Sequence, residues 1–188
     1  MIEALTRKVL EKVLIMDMPG ESYKGPMDSS EEERELSSEV RGHVTKLAEE
    51  IGIRNTSYPD ALEEAAKYIE DAFRDLGLPT ESREFVTSHG HHVRNIEASL
   101  PSSEREAPIV VGAHYDTVDC PGVNDNGSGV AALLVIARIV AEKPSMRSRG
   151  VRLVAFVNEE PPYFRTDDMG RLVYAHAIWP LVMFVSWG

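Results

Sequence analysis

The sequence has only one cysteine, Cys120, among its 188 residues. A single cysteine excludes an intrachain disulfide. No second cysteine or histidine stands near it at metal-site spacing, so we expect Cys120 to be an inert small side chain. The sequence also lacks any run of five or six basic residues, and its formal net charge is −11. Because nucleic-acid binding depends on basic patches, we expect no nucleic-acid partner.

The N-terminal sequence also shows no recognisable targeting signal. A secretory signal needs an uninterrupted apolar stretch of about 7–15 residues, and charged residues interrupt the N-terminal segment from Glu3 to Lys12. The compartment stays open, with the cytoplasm favoured.

Residues 172–188 contain no Asp, Glu, Lys or Arg. This apolar stretch includes Pro180 and is shorter than the about 20 residues of a membrane span, so we expect no membrane partner. A membrane-associated fragment remains an alternative for this tail alone.

Composition divides the chain into three parts. Residues 1–38 are predicted to hold an amphipathic helix at 2–16, followed by an acidic flexible linker that contains Glu31–Glu33. Residues 39–175 carry the helix and strand patterns of one folded domain. Residues 176–188 form an atypical apolar tail, in which a strand is possible.

The first half of the folded part is predicted to be two helices and a hairpin. Apolar spacing predicts one helix that ends at Gly52 and a second one that begins at Asp60, where Asp60 and Glu63 resemble a capping box. Residues 81–87 and 93–100 alternate like two strands around a short turn. The three histidines near this turn are interpreted as loop residues rather than as a metal site. They are His89, His91 and His92.

The second half changes to an α/β pattern. Residues 109–113 and 151–157 are continuous apolar runs, which is typical of strands buried on both faces. Between them lies an apolar helix whose start is supplied by Asn126 or Ser128. A strand, a helix and a strand within about 50 residues predict a parallel crossover, and therefore an α/β fold.

Both buried strands run directly into side chains that can bind a metal. The first is followed by His114 and Asp116, and the second by Glu159 and Glu160. Asp125 lies between them, in the loop that enters the helix. Because sites in open α/β sheets form beyond the carboxyl ends of the strands, one histidine and four carboxylates there predict a metal site.

A dinucleotide-binding loop is a competing interpretation that we reject. Residues 127–132 fit the pattern G-x-G-x-x-A. That fingerprint must follow a strand at once, whereas here a loop of about 13 residues intervenes, and the acidic residue expected about 20 positions later is missing.

The motifs around these residues resemble the M28 family of zinc aminopeptidases. They are V-V-G-A-H-Y-D-T at 110–117, G-V-N-D-N-G-S-G-V-A at 122–131 and F-V-N-E-E-P-P at 156–162. The resemblance implies a three-layer α/β sandwich with a mostly parallel central sheet, and two zinc ions per complete site. It implies that His114 and Glu160 bind one zinc each, Asp125 bridges both, Asp116 supports His114 and Glu159 is the general base. The implied substrate is a peptide with a free N-terminus.

The resemblance also implies two further ligands, an Asp and a His, that the sequence does not supply at the expected positions. Asp167 and Asp168 are too close to Glu160, and His176 stands where the family continues with helix. We therefore expect a chain truncated or frameshifted near Tyr174, with an incomplete fold and impaired activity. The alternatives are an inactive remnant or interaction module and a related di-zinc acylase or carboxypeptidase. In that related family the bridging Asp lies further from the His. The oligomeric state and the side-chain preference stay open.

Overall fold

The computed structural model describes residues 29–101, 107–143, 149–178 and 183–186. The four described helices are α1 (Glu31–Thr45), α2 (Pro59–Asp75), α3 (Ser128–Glu142) and α4 (Gly170–Ile178). The five described strands are β1 (Thr80–Val86), β2 (His92–Leu100), β3 (Ile109–His114), β4 (Val151–Phe156) and β5 (Met183–Ser186). A π-helical turn, Lys46–Ile51, extends α1. The helix predicted at 2–16 lies outside the described residues.

The strands form one mixed sheet in the order β1-β2-β4-β3-β5. β3 pairs in parallel with β4 and with β5, whereas β2 pairs antiparallel with β1 and with β4. In the β3–β4 register His114 stands opposite Phe156. The two central strands therefore end at the same edge of the sheet, as the sequence predicts.

Helices cover both faces of the sheet. The larger core includes Ile69 and Phe73 of α2, Leu133 of α3 and Leu153 of β4. A smaller core on the other face joins β3 and β4 to Tyr174 and Ile178 of α4. The predicted three-layer α/β architecture is confirmed. By length and composition alone, Val123–Glu142 could cross a membrane, but α3 within it contributes six buried residues to this fold.

The acidic segment is helical from Glu31 onward, which corrects the linker prediction for residues 31–38. Three glutamates in the first turn of α1 complement the helix dipole. Glu39, six residues after Glu33, forms a two-pronged ion pair with Arg138 of α3, at 2.8 and 2.7 Å. Charge placement thus favours a surface helix in a segment whose composition resembles a linker.

The start of α2 is also corrected. The residue that caps the helix is Tyr58, which makes no side-chain capping bond, and Pro59 occupies the first turn. Proline is favoured there because its missing N–H would have no partner within the helix. The strands of the hairpin and of the α/β unit lie within a few residues of their predicted positions.

Candidate metal centre

Three of the predicted ligands meet at the carboxyl edge of β3 and β4. One nitrogen of His114 and one carboxylate oxygen each of Asp125 and Glu160 lie within 4.8 Å of one another. His114 is the last residue of β3, Asp125 belongs to the turn before α3, and Glu160 follows β4. The parallel register explains why side chains so far apart in sequence share one site.

The site is buried at its base and open at its rim. His114 is only 3% exposed, whereas the side chain of Asp125 is 74% exposed. His114 Nε2 lies 2.9 Å from Asp125 Oδ1 and 3.7 Å from Glu159 Oε2. Solvent, and hence a ligand, reaches the cluster from the Asp125 side.

Asp116 links the two halves of the site. Its carboxylate accepts hydrogen bonds from the main-chain N–H groups of Glu159 at 3.1 Å and Glu160 at 3.0 Å. His114 Nδ1 lies 3.2 Å from the carbonyl oxygen of Asp116 and 3.5 Å from its carboxylate. Because a carbonyl can only accept, Nδ1 carries a proton, and Nε2 faces the cluster. This is the orientation that a metal-binding histidine needs.

The segment after β4 is held by a buried asparagine that sequence reasoning missed. Asn95 of β2 accepts a hydrogen bond from Val157 N–H at 3.0 Å and donates one to the Gly170 carbonyl at 2.9 Å. It therefore fixes both ends of the loop that carries Glu159 and Glu160. The sequence feature that could have identified Asn95 is an amide side chain within a strand pattern, but an asparagine in such a position is more often exposed to solvent.

The turn that presents Asp125 is stabilised by its own backbone. Gly127 N–H donates to the Gly122 carbonyl at 2.8 Å, and Gly122 has a φ of 59°. Asn126 Oδ1 accepts a hydrogen bond from Gly129 N–H at 3.0 Å. This bond satisfies one N–H of the first turn of α3, but the N-cap residue is Gly127 rather than the predicted Asn126 or Ser128.

The electrostatics of the cluster favour charge on the histidine. Burial disfavours a protonated imidazole, but hydrogen bonds and charges from Asp116, Asp125 and Glu159 outweigh it and raise the pKa of His114 to about 9. Burial raises the pKa of Glu159, and so do the neighbouring carboxylates, against the charge of His114. The pKa of Glu160 is raised mainly by burial and by Asp125. Several carboxylates lie close together around one imidazole. A bound cation would reduce the repulsion between their negative charges.

The donor set fits zinc. Zinc prefers nitrogen and oxygen ligands in a tetrahedral arrangement, and a catalytic zinc keeps three protein ligands and one open position. The described residues bring together one imidazole and two carboxylates, and the exposed rim supplies the open position. The chemistry of these side chains therefore suits one zinc ion.

Comparison with known proteins agrees with this chemistry. Residues 95–169 match the model of peptidase family M28. The uncharacterized protein YfbL of Escherichia coli K12 is 34% identical over 144 residues, which cover 72% of this chain and 43% of that protein. A probable lipoprotein aminopeptidase of Mycobacterium tuberculosis, LpqL, is 31% identical over 107 residues, or 56% of this chain and 21% of the relative. Residues 95–169 of this chain are therefore similar to peptidase family M28.

Solved structures support the α/β fold. A zinc aminopeptidase from Bacillus subtilis superposes with a TM-score of 0.58 at 15% identity, over 66% of this chain and 62% of that one. A glutaminyl cyclase from an Acidobacteriales bacterium reaches 0.65 at 20% identity, over 88% and 62%. The chain spans less than half the length of the two curated relatives named above.

The other candidate residues lie elsewhere. Asp168 accepts hydrogen bonds from the main chain and side chain of Ser88, which ties the loop after β4 to the hairpin. His89, His91 and His92 are exposed, but His92 is the first residue of β2 and not a loop residue as predicted. Among the residues that the structure describes, His176 and Asp167 join no cluster of possible metal ligands.

Proposed function

We propose that this chain carries the zinc-binding edge of a metallopeptidase that removes N-terminal residues from peptides. The observation that carries the proposal is the meeting of His114, Asp125 and Glu160 at one edge, with Glu159 beside them. The match of residues 95–169 to the family M28 model and an aminopeptidase-named relative support zinc-dependent peptide hydrolysis.

A zinc ion held by these residues would supply a Lewis acid that polarises a carbonyl and lowers the pKa of water to about 7. Glu159 would be the side chain that accepts a proton beside the ligand cluster. Its side chain is 17% exposed and sits 3.7 Å from His114 Nε2, so it borders the ligand cluster. A carboxyl whose pKa is raised by burial is better matched to taking a proton near neutral pH.

The roles of the remaining side chains follow from their contacts. His114, Asp125 and Glu160 hold the metal, and Asp116 orients His114 and anchors the main chain of both glutamates. We further propose a second zinc that shares Asp125 and needs ligands beyond these three. Among the residues described here only this one group of three was found. We therefore propose weak turnover by this 188-residue chain alone.

Two adjacent glutamates provide a matched test. Glu160→Gln removes a proposed ligand and is expected to weaken zinc binding, measured by competition with a chromophoric chelator. Glu159→Gln removes the proposed base. This variant is expected to keep zinc and to abolish any release of the aniline from an aminoacyl-anilide substrate. Equal zinc loss in both variants would contradict the division of roles.

Substrates with free and blocked N-termini separate the remaining functions. An aminopeptidase cleaves an aminoacyl-anilide and leaves its N-acetyl form intact. An acylase removes the acetyl group, and a carboxypeptidase cleaves only a peptide with a free C-terminal carboxylate. A zinc-loaded chain that cleaves none of these three substrates would support the interaction-module alternative. The sequence relative named above favours the aminopeptidase, whereas the glutaminyl cyclase neighbour, at 20% identity, supports the fold alone.

A further inference from the structure

Arg54 is a fully buried arginine beneath the candidate metal centre. It is 0% exposed and lies in the segment between the π-helical turn and α2. Removing a guanidinium from water is costly unless its N–H groups find partners, so a buried arginine requires a structural or functional reason.

The guanidinium joins three segments through main-chain carbonyls. Nε donates to the Tyr115 carbonyl at 2.6 Å. One terminal nitrogen lies 3.0 Å from the carbonyl of Leu47, 2.9 Å from that of Gly52 and 2.8 Å from that of Pro121. These carbonyls belong to the π-helical turn, to the exit of β3 and to the loop that leads to Asp125. A single side chain therefore spans the two segments that carry His114 and Asp125.

The main chain around Arg54 reinforces the connection. Arg54 N–H donates to Thr117 Oγ1 at 3.0 Å, and Thr117 N–H donates back to the Arg54 carbonyl at 3.0 Å. Asn55 adds a side-chain hydrogen bond to the Thr117 carbonyl at 2.9 Å. The residues directly after His114 are thus held to the Arg54 segment at three points.

The second terminal nitrogen lies under the Asp125 turn. It has no hydrogen-bond partner in the described part of the chain. It stands 3.4 Å from the place that a Cβ on Gly127 would occupy. Burial lowers the pKa of the Arg54 guanidinium to about 10, and the Asp116 charge, which favours the charged form, opposes this effect only in part. The guanidinium is therefore packed between the β3 exit and the turn.

We propose that Arg54 is a positioning residue that sets the distance between His114 and Asp125 and thereby the zinc affinity of the site. The inference rests on the proposed zinc site and adds a residue that contacts no ligand directly. Arg54 acts by fixing the Tyr115 and Pro121 carbonyls, one residue after His114 and four residues before Asp125.

The experiment compares Arg54→Lys with Arg138→Met in the full chain. A lysine keeps the charge but has one nitrogen, so it cannot bridge the Tyr115 and Pro121 carbonyls as the planar guanidinium does. Arg138→Met breaks the Glu39 pair at a distance from the ligands and serves as the destabilised control. We expect Arg54→Lys to weaken zinc binding about 10- to 100-fold, as loss of ligand support typically does, and Arg138→Met to change it less than about twofold. Zinc affinity is measured by chelator competition at a temperature where each metal-free protein is folded.

The outcomes separate the two proposals. If the unaltered chain does not bind zinc, the proposed zinc site fails and this inference fails with it. If the chain binds zinc and Arg54→Lys binds it equally well, or loses affinity only as much as Arg138→Met, the positioning role alone is wrong. If Arg54→Lys does not fold, hydrogen exchange in the unaltered chain tests the positioning role instead. The coupling between the zinc site and the Arg54 segment is reciprocal, so zinc binding must affect that segment. Zinc must then slow exchange at the Arg54 and Thr117 amides, and unchanged exchange at both would overturn the proposal.

Discussion

Two buried carboxylates of the same domain are balanced in different ways. Glu97 of β2 is 2% exposed and Asp116 is 3% exposed. Glu97 accepts hydrogen bonds from Arg83 at 2.8 Å, Tyr174 at 3.0 Å and Ser99 at 3.0 Å, and Arg152 lies 3.4 Å away. Two arginines thus compensate its charge within the fold.

Asp116 is compensated by groups that themselves belong to the site. Its partners are the amides of Glu159 and Glu160 and the imidazole of His114. Each residue that Asp116 contacts is therefore a proposed ligand or the proposed base. A buried carboxylate neutralised by arginines stabilises the fold, whereas one neutralised by ligand-bearing segments determines where the ligands stand.

The largest expected effect is on the free energy of unfolding of Glu97→Ala. Removing one partner of a buried ion pair typically costs 3–5 kcal/mol, and since Arg83 and Arg152 are about 30% and 26% exposed, we expect a loss of about 3 kcal/mol. Urea denaturation measures it. Zinc affinity under folding conditions is expected to stay within about twofold of the unaltered chain, because no proposed ligand contacts Glu97. A zinc loss as large as that of an Asp116 variant would remove the distinction between the two carboxylates.

Asp116→Ala is expected to show the reverse pattern. Zinc binding should weaken about 10- to 100-fold, which corresponds to about 1.4–2.7 kcal/mol, because His114 and the main chain of both glutamates lose their support. Asp119→Ala, an exposed residue of the same loop, is the matched control. Chelator competition measures both variants, and unchanged affinity in Asp116→Ala would show that the carboxylate is structural only.

The sequence made Asp116 predictable and left Glu97 hidden. Asp116 stands two residues after His114 at the end of a continuous apolar run, so chain topology alone places it at the sheet edge. Glu97 stands in a strand with polar and apolar residues, where a charged side chain usually faces solvent. Its burial depends on α4 covering that face through Tyr174, which is a tertiary contact that no local pattern encodes.

The same reasoning explains the other successes and failures. The α/β unit is readable because strands buried on both faces are continuous apolar runs. The linker prediction is wrong for residues 31–38 because Glu31–Glu33 resembles a linker in composition, whereas dipole complementarity and the pair between Glu39 and Arg138 stabilise a helix there. Asn95 and Arg54 were missed since their partners are main-chain carbonyls and amides, which are the same for every residue type.

A smaller effect is expected for Tyr174→Phe. The hydroxyl of Tyr174 donates to Glu97 at 3.0 Å and is also hydrogen-bonded to the Arg152 side chain. Losing a hydrogen bond to a buried charge costs about 1.5 kcal/mol. The arginines continue to balance Glu97, so the loss should be well below that of Glu97→Ala. Tyr58→Phe, at a 49% exposed position, is the control and should stay within about 0.5 kcal/mol in urea denaturation. A Tyr174→Phe loss equal to that of Glu97→Ala would mean that the hydroxyl, not the arginines, holds the carboxylate.

The smallest effect concerns a third carboxylate, which is partly exposed and lies far from the site. Hydrogen bonds from Arg138 hold the pKa of Glu39 below its ordinary value of 4.5, although partial burial opposes them. A carboxyl with a lowered folded-state pKa adds stability above its unfolded pKa and loses it as the pH falls through the folded value. Because the side chain is 29% exposed, we expect less than about 1 kcal/mol. In urea denaturation the stability difference between the unaltered chain and Glu39→Gln should be constant from neutral pH to about pH 5 and shrink below about pH 4.5. A stability difference that widens on acidification would show that the ion pair is not its cause. The pair could then not be what stabilises the helical start of α1.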